Sequence, residues 1–494
     1  MAFLASLLAL VGLGGFIRWY TAPNAPGPSA TAIIVHCADA LRAPMESIAK
    51  AYELETGQPV ELRVNASQSL LAQMELSHQG DLYLPADDSY LDMARAKKLI
   101  REVLPMATMG AVVVVNPSAK KITKWADLLT DDCKLILANP AAAAIGKVTR
   151  DELRKTGRWA DIEKRKPTFQ GKISDVASAV LLHPKGAGIV WDAVAGQFPK
   201  LTVVRLPELA GIRSHVGIAV TSFSKQPTDA LRFARYASAK DKGLMELSKR
   251  SYTIPEVADV YDIHPQLRLS GGSMLRPALE ETIKEFQRRE GVTIHTNWNG
   301  CGILVAEMQT KKIPDIYFAC EPRFMEKVQE LFEPPEIVSS NRLVIAVRKG
   351  NPREIRALKD LSKDDLKVGV GYENQCALGD LTKMTFIRTG LYARLQRNIA
   401  KQAPSGDLLI SDFRGGALDV IVCYESNVTP YLDEFEFTAV DIGADNRDCT
   451  NPLQPVAIRK DTAHPQLARR LMEAFQSVES RARFEKLGFG WVKK

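Results

Sequence analysis

The sequence predicts an α/β protein made of two tandem copies of one doubly wound unit, and three observations carry that reading. The first is a repeat: the run from Leu267, LRLSGGSMLRPALEETIKEFQRREGVTIHTNWNGCGILVAEMQTKKIPDIYFACE, returns the events found from Thr31 in TAIIVHCADALRAPMESIAKAYELETGQPVELRVNASQSLLAQMELSHQGDLYLPAD. Pro44 answers to Pro277, Gly57 to Gly291, Ser67 to Cys301, Asp81 to Asp315 and Tyr83 to Tyr317. An offset of about 233 residues held over so much chain marks a duplication. The second is the alternation of apolar strand patterns with amphipathic helices, which implies a parallel, doubly wound sheet. The third is a set of small polar turns between strand ends and helix starts, the place where ligands of such sheets bind.

Taken in order, residues 1–30 form a leader. Ala2 to Ile17 is an unbroken apolar run, closed by Arg18, Trp19 and Tyr20 and followed by a Pro- and Ala-rich spacer. No Lys or Arg precedes it and Pro23 follows the best small-residue site, so it reads as an uncleaved membrane anchor rather than a removed signal. The Trp-Tyr pair suits an interface, while Arg18 on the far side leaves the orientation open. The first unit then spans 31–254, a linker 255–265, and the second unit 266–494.

Each unit opens with a buried-strand pattern, AIIVHCA or LRLSGG. In the first helix Pro44 suits the first helical position, and Met45, Ile48, Ala49 and Tyr52 recur at helical spacing until Gly57 ends it. Pro277, Leu279, Ile283, Phe286 and Gly291 repeat this. VELRV and VTIHTNW follow as strands, then a polar turn and a helix opening near Ser69 or Ile303. Further on, ITKWADL recurs as IRALKDL, IVWDAV as VCYESN, and SKQPTDALRFARYAS as TAHPQLARRLMEAFQ.

Composition sets the class and removes several functions. A chain of 494 residues with 46% hydrophobic and 25% charged residues is ordinary for a globular protein of several domains. The net charge of +7 is spread among mixed charges, without the basic, aromatic-interleaved run that tracks nucleic acid. No P-loop, GxSxG or HExxH is present, and no cofactor or enzymatic activity is expected. The seven histidines are scattered; His36, His215 and His295 read as hydrogen-bonded core imidazoles, so no zinc site is expected.

The polar turns are Ala38-Asp39-Ala40 and Asn65-Ala66-Ser67-Gln68 in the first copy, and Gly271-Gly272-Ser273 and Asn299-Gly300-Cys301-Gly302 in the second. Backbone N–H groups at a helix start, with the positive end of its dipole, cradle an anion without a full positive charge. One such turn alone is ordinary helix capping. Two, duplicated in order, favour a binding site.

Both halves resemble type II periplasmic solute-binding domains, closest to the molybdate-binding proteins of ABC transporters. The resemblance is carried by these turns, by HQGDLYLPADDSYLDMA and IPDIYFACEPRFMEKV, by GAGIVWDAV and LDVIVCYES, and by the ending FEKLGFGW. It implies two α/β lobes per unit joined by crossing strands. The first unit's lobes would be Thr31 to Met109 plus His215 to Tyr252, and Gly110 to Ser214. The second unit's would be Gln266 to Ala346 plus Asn451 to Trp491, and Val347 to Thr450. The implied partners are a small oxyanion, an ABC transporter permease and, through the leader, the membrane of the cell envelope.

By the same resemblance the oxyanion-contacting serines fall on Ala40 and Ser67 in the first copy and on Ser273 and Cys301 in the second. The backbone contact of the second lobe falls at Ile145 and Leu378, and the late tyrosine at Trp191 and Tyr424, which also read as cleft-wall aromatics. Neither copy keeps both serines. Asp39 adds a negative charge to the first, so the second is expected to be the better anion site. The family pattern also brings Cys301 and Cys320 to adjacent strand ends near the cleft, with Cys376 on the facing lobe. Buried inert thiols, a Cys301–Cys320 disulfide and soft-metal ligation all remain open. The last would make the protein a thiol-dependent metal handler or enzyme on the same fold; a sensor or scaffold with one degenerate copy is the third reading.

Overall fold

The computed structural model describes residues 31–492; the leader, expected from the sequence to be a membrane anchor, lies outside them. Among the described residues no helix is long and apolar enough to cross a membrane. The chain divides into two compact units, the first ending at Pro255 and the second beginning at Glu256, apart from residues 239–241, which pack with the second.

In the first unit, Ile33–Ala38 pairs in parallel with Val60–Asn65 on one side and Leu82–Leu84 on the other. Arg213–Thr221 runs antiparallel beside Leu82–Leu84 and then along the 16-residue strand Ile100–Val115. That long strand joins the lobes: it pairs with Arg213–Thr221 as far as Gly110, and from Ala111 with Gly186–Trp191 of the second lobe. The second unit repeats the plan in two separate sheets. Its counterpart of the long strand is broken into Glu336–Ser340 and Leu343–Arg348. The lobes therefore change over at Asn341 and Arg342 rather than after Ala346 as the sequence predicts. Buried Asn341 holds the break, donating to the Ser426 hydroxyl at 2.7 Å.

The helix faces are those the periodicity predicts. Met45, Ile48, Ala49 and Tyr52 are buried, as are Leu279, Ile283 and Phe286. Both helices end on a left-handed glycine, Gly57 at φ 73° and Gly291 at φ 65°, whose N–H groups bond Glu53 and Gln287 carbonyls. A short 3-10 turn, Asp39–Leu41, leads into the helix Arg42–Thr56, so Pro44 is its third residue, not its first. Asp81 and Asp315 play one role in the two units, each accepting the backbone N–H that opens the first strand, from Ile34 at 3.0 Å and Arg268 at 2.8 Å. Among the strand histidines only His36 is a core imidazole, bonded to the Gln79 carbonyl and held below its ordinary pKa by burial. His215 and His295 are exposed on the outward face of their strands.

Residues 256–265 dock on the second unit. The Asp259 carboxylate accepts the N–H groups of Gln466 at 2.7 Å and Leu467 at 3.2 Å, capping the helix Pro465–Phe475 from outside it. Residues 256–494 alone are expected to unfold cooperatively. A chain begun at Gln266, which lacks this cap, is expected to be less stable by about 1 kcal/mol. Urea unfolding of the two chains measures the difference; equal midpoints would show that the docked segment contributes nothing.

Candidate functional site

In each unit the second polar turn opens a helix, Ser67–Ser77 or Cys301–Gln309, that points its N-terminus across to the facing lobe. There the turns before Ala144–Lys155 and Ala377–Arg388 receive it. One hydrogen bond spans the lobes at the same register in both: Gln68 N–H to the Ala142 carbonyl at 3.2 Å, and Gly302 N–H to the Gln375 carbonyl at 3.1 Å. The first N–H groups of these helices have no partner within their own helix, so two positive helix ends from opposite lobes converge on one small volume.

In the first unit that volume is a small, partly open cleft. Ala40, Ser67, Ile145 and Trp191, the four positions picked from sequence, all line it, together with Asp39, Ala86, Ala143 and Lys172. Ser67 is fixed from two sides: its carbonyl accepts the Tyr83 hydroxyl at 3.0 Å and its Oγ accepts the Ala86 N–H at 3.1 Å. A hydroxyl that accepts in this way keeps its own proton to donate. Trp191 is fully buried and forms the wall.

Asp39 does something the sequence did not indicate. Its Oδ2 reaches the opposite lobe and accepts both the backbone N–H of Ser174 at 3.1 Å and the Ser174 hydroxyl at 2.5 Å. Ser174 is the second residue of the helix Ile173–Leu182, so the carboxylate sits at a positive helix end. The first unit thus carries an anion of its own across the cleft. Ser174 was missed because nothing in its local sequence sets it apart.

The second unit departs at the same positions. Cys301 takes the place of Ser67, and its Sγ accepts the Cys320 N–H at 3.2 Å, the counterpart of the Ser67–Ala86 bond. Cys320 stands where the first unit has Ala86, and Cys376 where it has Ala143, so all three thiols occupy cleft-lining positions of the duplicated unit. The Sγ atoms of Cys301 and Cys320 are 2.8 Å apart, and all seven cysteines are free and buried. Gly272 replaces Asp39 of necessity: a Cβ there would lie 2.0 Å from the Cys320 sulfur. Gly300 is equally constrained, since a Cβ would lie 2.4 Å from the Gln375 carbonyl oxygen across the lobes.

Ser273, half-buried in the first turn, spends its hydroxyl on no described protein group. Leu378 is buried in the first turn of its helix, and Tyr424 is buried at the end of Val420–Tyr424. The Tyr424 hydroxyl is buried without a hydrogen-bond partner, and the Tyr317 hydroxyl is buried beside the Cys301 thiol. Burial, reinforced by the nearby cysteine sulfurs, raises the pKa of both, so each stays a neutral donor. Among the described residues no three His, Cys, Asp or Glu side chains stand close enough together to hold a metal ion.

Comparison with known proteins agrees with the duplication. The chain is 28% identical over 226 residues to the molybdate-binding protein ModA of Mycobacterium tuberculosis, a match that takes 44% of this chain and 84% of that protein. It is 28% identical over 230 residues to ModA of Escherichia coli, covering 41% of this chain and 87% of the other. Among solved structures, the periplasmic molybdate-binding protein of Azotobacter vinelandii aligns with TM-score 0.40 and 16% identity over 46% of this chain and all of its own. The sulfate-binding protein SubI of Mycobacterium tuberculosis aligns with TM-score 0.41 and 15% identity, over 47% of this chain and 88% of its own. The profile of bacterial extracellular solute-binding proteins matches twice, over residues 33–242 and 267–490. The chain belongs to the family of bacterial extracellular solute-binding proteins, and carries its domain in duplicate.

Proposed function

We propose that this protein captures a small tetrahedral oxyanion of the molybdate type in the cell envelope, by closure of two lobes, and passes it to an ABC transporter permease. The observation that carries this reading is the meeting of helix N-termini from opposite lobes in the second unit, with the unengaged hydroxyl of Ser273 at the position where Ala40 lines the first cleft. Neutral donors of this kind hold a dianion by hydrogen bonds and helix dipoles. Relatives named as molybdate-binding proteins, each matching one half of the chain, support the ligand class. The leader would tether the protein to the membrane. The first unit is the weaker binder in this reading, because Asp39 already occupies the donors of Ser174.

Calorimetry of residues 29–494 with molybdate, tungstate, sulfate and phosphate tests the proposal, and recovery of that chain without detergent tests the tether. One site per chain is expected, with little change between low and high salt, because buried neutral donors are screened far less than surface charges. Replacing Asp39 with serine removes the competing carboxylate and is expected to add a second, weaker site. Absence of heat with all four anions would sink the oxyanion reading; a second site already present in the unaltered protein would sink the role given to Asp39.

A further inference from the structure

The first unit builds its cleft without the thiols that the second unit carries. Ser67 makes the same hydrogen bond in the first unit with an oxygen, and Ala86 and Ala143 fill the other two positions with a methyl group. In the second unit the three positions hold Cys301 and Cys320 on one lobe, with sulfurs 2.8 Å apart, and Cys376 on the other. Two buried tyrosine hydroxyls stand near these sulfurs: Tyr317, beside Cys301, and Tyr424. We propose that the second cleft is a binding site for a trivalent group-15 metalloid hydroxide, arsenite in its neutral form, chelated by Cys301 and Cys320.

The reaction is a condensation. Each sulfur forms a bond to arsenic as one arsenic–hydroxyl bond breaks, and the thiol proton leaves with that hydroxide as water. One As(OH)₃ and two thiols give a dithiolate arsenic hydroxide and two waters, with no change of oxidation state and no oxidant. The remaining hydroxyl stays on arsenic, with the buried hydroxyl of Tyr317 to hydrogen-bond it.

Burial of all three cysteines favours this ligand over a soft cation. A divalent ion needs thiolates, and a net charge buried at these positions is costly. Condensation with a neutral hydroxide leaves the site uncharged. The soft character of sulfur supplies the selectivity. The inference rests on the thiols and stands apart from the oxyanion reading, which uses Ser273 and backbone N–H groups.

The test uses the full-length chain, reduced with a phosphine and freed of it without air, then dialysed against sodium arsenite. One arsenic is expected per chain, with sulfur neighbours in its X-ray absorption spectrum, and a small dithiol should strip it. Cys301→Ser and Cys320→Ser should each weaken retention by roughly a hundredfold or more, since two-point attachment is reduced to one. Cys133→Ser, in the first unit, should leave it unchanged. Should the cysteine variants fail to fold, the spectrum of the unaltered protein still decides: arsenic with only oxygen neighbours overturns the proposal. So does a reduced chain that retains no arsenic, or retention that survives both substitutions. An intact mass gain of one arsenic hydroxide less two waters, lost in Cys301→Ser, supports it. Molybdate titration of the same variants separates the two readings, because the oxyanion site keeps Ser273 in all of them.

Discussion

Replacing Arg470 with alanine is expected to destabilise the second unit by about 3–5 kcal/mol and to leave the first unit as it was. Arg470 lies on the helix Pro465–Phe475, and its guanidinium makes two bonds to Glu290, the last residue of Arg276–Glu290: Nε to Oε1 at 2.7 Å and Nη2 to Oε2 at 3.1 Å. The side chains are only 8% and 1% exposed, so neither charge can be resolvated if its partner is lost. Removing one member strips a buried charge of the two bonds the other gave it, which is why the loss exceeds the value of the pair itself. The double replacement Arg470→Met with Glu290→Leu is therefore expected to recover most of the stability. Hydrogen exchange mapped separately onto residues 31–255 and 256–492 makes the measurement. Equal protection of the second unit in Arg470→Ala and unaltered protein would refute the assignment, as would a double variant no better than the single.

Ser273→Ala is the second large effect, read in binding. The hydroxyl sits in the turn Ser273–Leu275 ahead of the helix Arg276–Glu290, and no described protein group competes for it. A desolvated, charge-assisted donor of this kind contributes roughly 1.5–3 kcal/mol, so the affinity for molybdate should fall about ten- to a hundredfold. Ala40, at the same position of the first unit, shows that the fold tolerates the methyl group, and its buried site supports that. A stability change is therefore not expected, and calorimetry of Ser273→Ala isolates the donor. Unchanged affinity would place the anion elsewhere.

Much of this was legible in the chain itself. The offset between the copies assigned every early element, and Gly57 and Gly291 marked helix ends that the structure places where expected. The four first-copy positions drawn from family resemblance line one cleft. The repeat also held a signal that was not used: moving Cys320 and Cys376 back by the offset lands on Ala86 and Ala143, both of which line the first cleft. The misplaced lobe boundary in the second unit has a simple cause. LVIAVR is an apolar run that would suit either sheet, and only the backbone pairing of Leu343–Arg348 with Val420–Tyr424 shows that it belongs to the second lobe.

By itself the sequence determined the duplication, the α/β class, the buried helix faces and the turns at which a ligand could be held. These follow from spacing, caps and periodicity, which act over a few residues and are written locally. Only the tertiary structure decided that Asp39 reaches Ser174, 135 residues away, and that Cys301 and Cys320 touch while Gly272 makes room for them. Those contacts arise when two lobes close on one volume. Each residue in them is an ordinary one in its own segment, and its role is set by a partner that packing, not spacing, brings to it.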